Sequence, residues 1–196
     1  MGRVVPLKKP GTQTDLLQLK ITLAWIKPTI WRRIVVPGSI TLPKLHLVIQ
    51  LTMGWYDCHL HEFEFAGERY GIPDPDFDWG SSLRSESRVR LATALGLAKS
   101  FVYTYDFGDN WEHRIKVEKR LPYDPLLAKS AFCVDGANAC PPEDVGSVPG
   151  YEDFVAAMAN PDHPEHHDMM EWYGRTFDPT YFDTSAVNLA LNSIKL

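Results

Sequence analysis

Three histidines, His59, His61 and His113, are the residues best suited to chemistry in this chain. His59 and His61 stand two apart in Cys58-His59-Leu60-His61-Glu62-Phe63-Glu64-Phe65, a run with a period of two. In a strand of that period both imidazoles point the same way. A third imidazole, His113, on a neighbouring strand could complete the three-nitrogen set that catalytic zinc sites use. Asp106, Asp109 and Glu112 lie beside it in sequence. Asp109 or Glu112 would then serve as the base, and Asp106 as a further ligand. Glu112 is the weaker base, because strand alternation puts it opposite His113. The structural reading carries more weight. His61 and His113 each share a face with large apolar residues, and buried histidines usually satisfy their nitrogens by hydrogen bonds. Asp109 and Asn110 are ordinary turn residues.

Other constellations are weaker. Cys133 and Cys140 are separated by six residues, wider than zinc knuckles use, and Cys140-Pro141-Pro142-Glu143-Asp144 reads as a rigid turn. A cysteine nucleophile there would need a histidine from elsewhere in the fold. His163 and His167 are four apart, a spacing that binds metal on a helix, but the surrounding acids fit an exposed polar face. Arg32 falls on the strand face opposite Trp31 and Arg33, so these arginines form no common patch. Arg114 and Lys116 share a face with Glu112 and Glu118, a solvated face of mixed charge.

The elements that must position these residues follow from periodicity. Leu17, Leu19, Ile21, Leu23 and Trp25 alternate with polar residues, and Ile30 to Val36 forms a second strand after Lys27-Pro28-Thr29. Thr41 caps a helix that carries Leu45, Val48, Ile49 and Met53 at helical spacing and closes at Gly54. Strands follow over Cys58 to Phe65, Phe101 to Asp106 and Trp111 to Val117. Gly108 suits a type II′ turn between the last two. Residues 71–90 hold a loop and an exposed charged stretch, and Leu91 to Leu97 a short helix or turn. Five prolines between 120 and 150 exclude a central strand or a long helix and predict an ordered loop wrapped over the sheet. Helices are predicted near 151–159, 164–173 and 185–195. Residues 1–14 read as a loose arm and 15–196 as one domain. The fold class is α+β, with a mostly antiparallel four- or five-stranded sheet and helices packed on it.

Composition narrows the function. The 196 residues carry a net charge of −5, against the basic footprint that phosphate contacts require. Three cysteines form no paired framework, which fits reduced thiols in a cytoplasmic protein. No apolar run approaches the ~18 residues of a membrane helix.

Several segments, in one order, resemble the plasmid pRiA4b ORF-three-like family. They are Ile30-Trp31-Arg32-Arg33-Ile34, Leu45-His46 through Met53-Gly54-Trp55, and His59-Leu60-His61-Glu62-Phe63. Tyr105 through His113, Cys140-Pro141-Pro142-Glu143-Asp144 and Pro149-Gly150-Tyr151 complete the set. The resemblance implies an α+β fold on an antiparallel sheet and an association with plasmids and mobile DNA. It brings no catalytic residues with it. Val145-Gly146-Ser147 departs from the family's frequent Cys followed by paired glycines.

Two functional readings follow. The first is a non-catalytic module that binds a protein or nucleic acid and needs no cofactor. Arg33, Trp55, Asp106, Trp111, Glu143 and Asp144 are its candidate contacts. The second is a metal-dependent hydrolase or nuclease with a divalent ion on His59, His61 and His113.

Overall fold

The computed structural model describes residues 15–73 and 83–196. The loose arm expected over residues 1–14 lies outside them, as does part of the loop expected over residues 71–90.

The described residues form one sheet and five helices. The strands are β1 (Leu16–Leu23), β2 (Trp31–Pro37), β3 (His61–Phe65), β4 (Glu68–Gly71), β5 (Arg84–Ser85), β6 (Ser100–Tyr105), β7 (Trp111–Leu121) and β8 (Phe132–Ala137). The helices are α1 (Leu42–Met53), α2 (Leu91–Leu95), α3 (Ser147–Ala159), α4 (His166–Tyr173) and α5 (Thr184–Leu191). The strand order is β5-β4-β3-β6-β7-β1-β2-β8. All neighbours run antiparallel except β4 and β5, which are parallel.

The α+β class stands, but the expected four- or five-stranded antiparallel sheet does not: the sheet has eight strands and is mixed. The three extra strands are short elements at or next to the two ends of the sheet. Strand β4 follows β3 through a tight Ala66-Gly67 turn, with φ of 49° and 87°, and β5 is only two residues long. Strand β8 sits inside the proline-rich segment, which therefore does more than wrap. Its own six residues hold no proline, and it lies at the sheet edge, where neighbouring prolines do least harm. Asn188 of α5 closes that edge: its side chain accepts from the Cys133 N–H at 2.8 Å and donates to the Cys133 carbonyl at 2.9 Å.

Alternation in β1, β2, β3, β6 and β7 divides the sheet into two faces. Leu19, Ile21, Leu23, Ile34, Phe63, Tyr103, Trp111 and Ile115 are buried on the inner face. Helix α1 adds Leu42, Leu45, Val48, Ile49 and Met53 to the same core. Each such side chain contributes about 1.5–3 kcal/mol by leaving water. The outer face carries half-buried or exposed Lys20, Trp31, Arg33, Arg114 and Lys116. Its guanidiniums are engaged: Arg33 pairs with Glu118 at 2.7 Å and Arg114 with Glu112 at 2.9 Å.

Gly54 ends α1 in the left-handed region at φ 100°, and its N–H and that of Trp55 both donate to the Gln50 carbonyl. That stop turns the chain back over Trp55–Cys58 towards β3, and so delivers His59.

Candidate metal centre

The sequence motifs converge on two places, one inside the core and one at its rim. Inside, His46 and His61 stack with ring centroids 3.6 Å apart and planes 7° from parallel. His61 Nε2 meets Glu86 Oε2 at 3.1 Å, with both side chains only 4% exposed. His46 Nδ1 meets the Tyr103 hydroxyl at 2.7 Å and its Nε2 meets Asp57 Oδ1 at 2.6 Å. Gln50 donates to the Tyr103 hydroxyl and accepts from the Asp57 N–H, each at 3.0 Å. Burial lowers the His46 pKa, and the adjacent His61 ring lowers it further. Burial also raises the Tyr103 phenol far above its ordinary range, so the hydroxyl stays protonated.

His113 is fully buried on β7. Its Nδ1 lies 3.2 Å from the Tyr103 carbonyl, while Nε2 has no partner. Trp55 stands edge-on to it at 5.2 Å. Burial pushes its pKa down to about 4, so the ring is neutral at neutral pH.

The rim is different. His59 precedes β3 and faces three carboxylates from two loops. Its Nε2 is 3.1 Å from Asp144 Oδ1, 3.7 Å from Asp106 Oδ2 and 3.9 Å from Glu143 Oε2. None of these contacts has hydrogen-bond geometry: Nε2 of His59 and Oε2 of Glu143 are buried atoms without a hydrogen-bond partner. The 3.1 Å separation from Asp144 is therefore a close approach off the bonding direction.

Each buried carboxylate has one oxygen tethered and the other aimed at His59. Asp106 Oδ1 accepts the Gly108 N–H at 2.9 Å. Glu143 Oε1 accepts the Tyr56 N–H at 2.8 Å and the Tyr105 hydroxyl at 3.1 Å. Asp106 and Glu143 side chains are each 10% exposed, and that of Asp144 is 70% exposed. Among the described residues, two groups have metal-ligating atoms within 4.8 Å of one another: Cys58-His59-Glu143 and His59-Asp106-Asp144. Both contain His59. Burial raises the Cys58 thiol pKa, and the hydroxyl of Tyr105 lies 3.7 Å from its sulfur.

Local backbone explains the convergence. Asp106 and Asn110 occupy the left-handed region at φ 55° and 56°, and Gly108 does not, so the β6–β7 turn is not the expected type II′. This five-residue turn swings Asp106 off the strand. Asp144 is left-handed too, at φ 57°. Gly150 holds the second loop down: a Cβ there would fall 2.0 Å from the Val145 carbonyl oxygen. The Trp55 indole N–H donates to the Pro141 carbonyl at 3.0 Å, pinning the same loop to the end of α1.

The sequence-predicted residues therefore separate. His59, Asp106, Glu143 and Asp144 come together. His61 and His113 belong to neither ligand group. Asp109 accepts the Gly146 N–H at 3.1 Å and joins the two loops, while Glu112 faces Arg114 on the outer sheet face. Arg33 is also on that face. Trp55 and Trp111 pack 6.1 Å apart in the core. His163 precedes α4, which begins at His166, so the His163–His167 pair does not share that helix. Sequence reasoning passed over His46, Gln50 and Asp57, and it put Glu86 in the exposed charged stretch, whereas Glu86 is 3% exposed and bonded to His61. His46 and Gln50 are one helical turn apart, which was a usable signal for a shared polar face.

The profile described as "Plasmid pRiA4b ORF-3-like protein" matches residues 15–186. The chain belongs to that family. The family match spans β1 to the start of α5 and includes every residue of the rim cluster. The pRiA4b ORF-3-like chain is 39% identical over 183 residues to "Uncharacterized protein y4hQ" of Sinorhizobium fredii (strain NBRC 101917 / NGR234), covering 92% of each. Its structure resembles "Crystal Structure of Protein of Unknown Function MM3350 from Methanosarcina mazei Go1". The TM-score is 0.79 at 38% identity, over 89% of this chain and 98% of that one. No described helix of this pRiA4b ORF-3-like protein is long and apolar enough to cross a membrane.

Proposed function

We propose that this protein is a metal-dependent hydrolase whose divalent cation is held by His59 together with one of two ligand pairs, Glu143 and Cys58 or Asp106 and Asp144. The observation that carries this reading is the pair of buried orphan atoms, His59 Nε2 and Glu143 Oε2, facing each other at 3.9 Å. A buried polar atom without a partner is costly, and a shared cation satisfies both at once. The separations support it. Two atoms that each lie about 2.1 Å from one ion sit about 3–4 Å apart, as His59 Nε2 does from the three carboxylates.

An imidazole nitrogen with carboxylate oxygens suits zinc or manganese, and a thiolate in the set favours zinc. The tethering by Gly108, Tyr56 and Tyr105 orients the Asp106 and Glu143 carboxylates, as outer partners do around metal sites. Asp144 is exposed, which leaves a side open to water and substrate, the mark of a catalytic site rather than a structural one. A bound cation would polarise substrate and lower the pKa of its water.

The second reading is a non-catalytic module for protein or nucleic acid. Its support is the plasmid association of the family and the outer sheet face, where Arg114 lies over Trp25 at 4.5 Å and Lys20 over Trp31 at 4.8 Å. Such a module would use Arg33 and its neighbours, and its affinity for nucleic acid would fall steeply with salt.

Elemental analysis of protein purified without chelator, with calorimetric titration of manganese and zinc, separates the two. One bound ion, weakened at least tenfold in Asp106→Asn or in Glu143→Gln, supports the metal reading, and hydrolysis of chromogenic esters and phosphoesters is then screened. Equal affinity in wild type and both variants removes it.

A further inference from the structure

The fold buries a guanidinium without giving it a counter-charge. Arg32 shares the inner face of β2 with Ile34 and is 2% exposed. Its Nε donates to the Thr52 carbonyl at 3.0 Å, and its Nη1 to the carbonyls of Trp31 and Ala137, each at 2.9 Å. Nη2 makes no hydrogen bond to the described residues. No described carboxylate forms an ion pair with Arg32. The acidic groups that bear on it are Cys140, Cys133 and Tyr151. Burial raises the pKa of all three, so they are neutral at neutral pH. An arginine keeps its charge even when burial lowers its pKa. A buried cation matched only by neutral carbonyls is costly to keep.

What remains exposed of Arg32 opens into a groove of about 670 Å³. Phe182 lies over its guanidinium, 4.1 Å from carbon to ring centroid. Gly136 permits that contact, since a Cβ there would come within 2.5 Å of the Phe182 ring. Trp172 and Tyr181 also line the groove, 50% and 62% exposed, together with a second guanidinium, Arg175. In the wall, Oδ1 of Asp183 accepts from the Ser185 and Ala186 N–H groups as the cap of α5. The volume is that of a small-molecule site. Exposed aromatic rings in a groove lined by two guanidiniums match a flat ring that carries an oxyanion. A dianionic phosphate balances two guanidiniums better than a carboxylate does.

We propose that this groove binds a phosphate monoester carried on a flat ring, of the nucleoside monophosphate class. The phosphate sits on Arg32 and Arg175 and the ring against the aromatic wall. Glu143 closes one end of the groove, so the site borders the metal centre and supplies the substrate class for it. In that respect it rests on the hydrolase reading, but the binding itself stands on Arg32 and needs no cation.

The test is calorimetric titration of the EDTA-treated full chain with adenosine monophosphate, inorganic phosphate and benzoate. The expected result is saturable binding of adenosine monophosphate, weaker binding of phosphate alone, and at least tenfold loss in Arg32→Met and Arg175→Glu. Arg32→Met is first checked by circular dichroism. Where it fails to fold, Arg175→Glu and Tyr181→Ala, both at exposed positions, carry the test. Binding of benzoate but not of the phosphates overturns the assignment. So does binding seen only with added manganese, because the anion would then be held by the cation. No saturable binding up to millimolar nucleotide, or binding unchanged in folded variants, also overturns it and leaves the metal reading untouched.

Discussion

His59 and His61 are separated by one residue, yet they live in different chemistry. His61 is sealed in the core, stacked on His46 and bonded to Glu86. His59 stands at the rim, where its Nε2 faces three carboxylate oxygens and bonds to none of them. The inner network spends its polar atoms on one another, so it specifies the core. The rim holds atoms whose partners are missing together. His113 sharpens the contrast: its Nε2 is also an orphan, but Trp55 and Tyr103 surround it with rings rather than ligands. An orphan atom points to a ligand only when other orphans or aimed oxygens converge on the same space.

The contrast makes the inner pair the more expensive to break. Glu86→Ala leaves His61 buried without its partner, and a buried polar group left unsatisfied costs about 1–3 kcal/mol, more where it is charged. Denaturant unfolding is expected to show that loss while metal affinity is unchanged. A matching loss of metal affinity in a folded Glu86→Ala protein would merge the two regions into one site.

The next effect is acid sensitivity of the core. The folded pKa of His113, about 4, lies below the ordinary value of about 6.5. Between those values the unfolded chain binds a proton that the folded chain refuses, so stability falls as pH drops through that window. The loss approaches about 3 kcal/mol near pH 4. His113→Gln removes this dependence, although it lowers stability at neutral pH. A stability profile between pH 7 and pH 4 that is equally steep in the variant would assign the acid sensitivity elsewhere.

Much of this arrangement was legible before any coordinates. Alternation placed Leu19, Ile21 and Leu23 inward, and the same parity set Arg32 apart from Trp31 and Arg33. Helix α1 announced itself through Thr41, Pro43 and Gly54. The short strands β4, β5 and β8 did not, because two to six residues carry too little periodicity, and β5 and β8 pair with segments distant in sequence. The metal centre was half legible. The Asp106 and Glu143-Asp144 motifs carried the right residues, but their convergence depends on left-handed backbone at Asp106 and Asp144 and on the close approach at Gly150. Strand parity argued for His59, His61 and His113 together. It failed for His59 because β3 begins only at His61, so the parity rule stops two residues short of it. Glu86 had no local signal at all.

The smallest effect tests whether the outer sheet face belongs to either site. Arg33 holds the Glu118 carboxyl down to about 2, and Gln18 adds a 2.8 Å hydrogen bond to it. A depressed carboxyl contributes stability above its ordinary pKa of about 4.3, and that contribution is lost as pH falls towards 2. The pair is partly exposed, so solvent screening limits it to about 0.2–1 kcal/mol. Arg33→Ala is therefore expected to lower the melting temperature slightly at pH 7 and not at all at pH 2. It should leave both metal and nucleotide affinity unchanged, because Arg33 faces away from Arg32 and from the rim. Unchanged affinity would keep the chemistry on the inner side of β2. A loss of nucleotide binding in Arg33→Ala would instead move the anion to the outer face, where Trp31 lies under the same guanidinium at 5.0 Å.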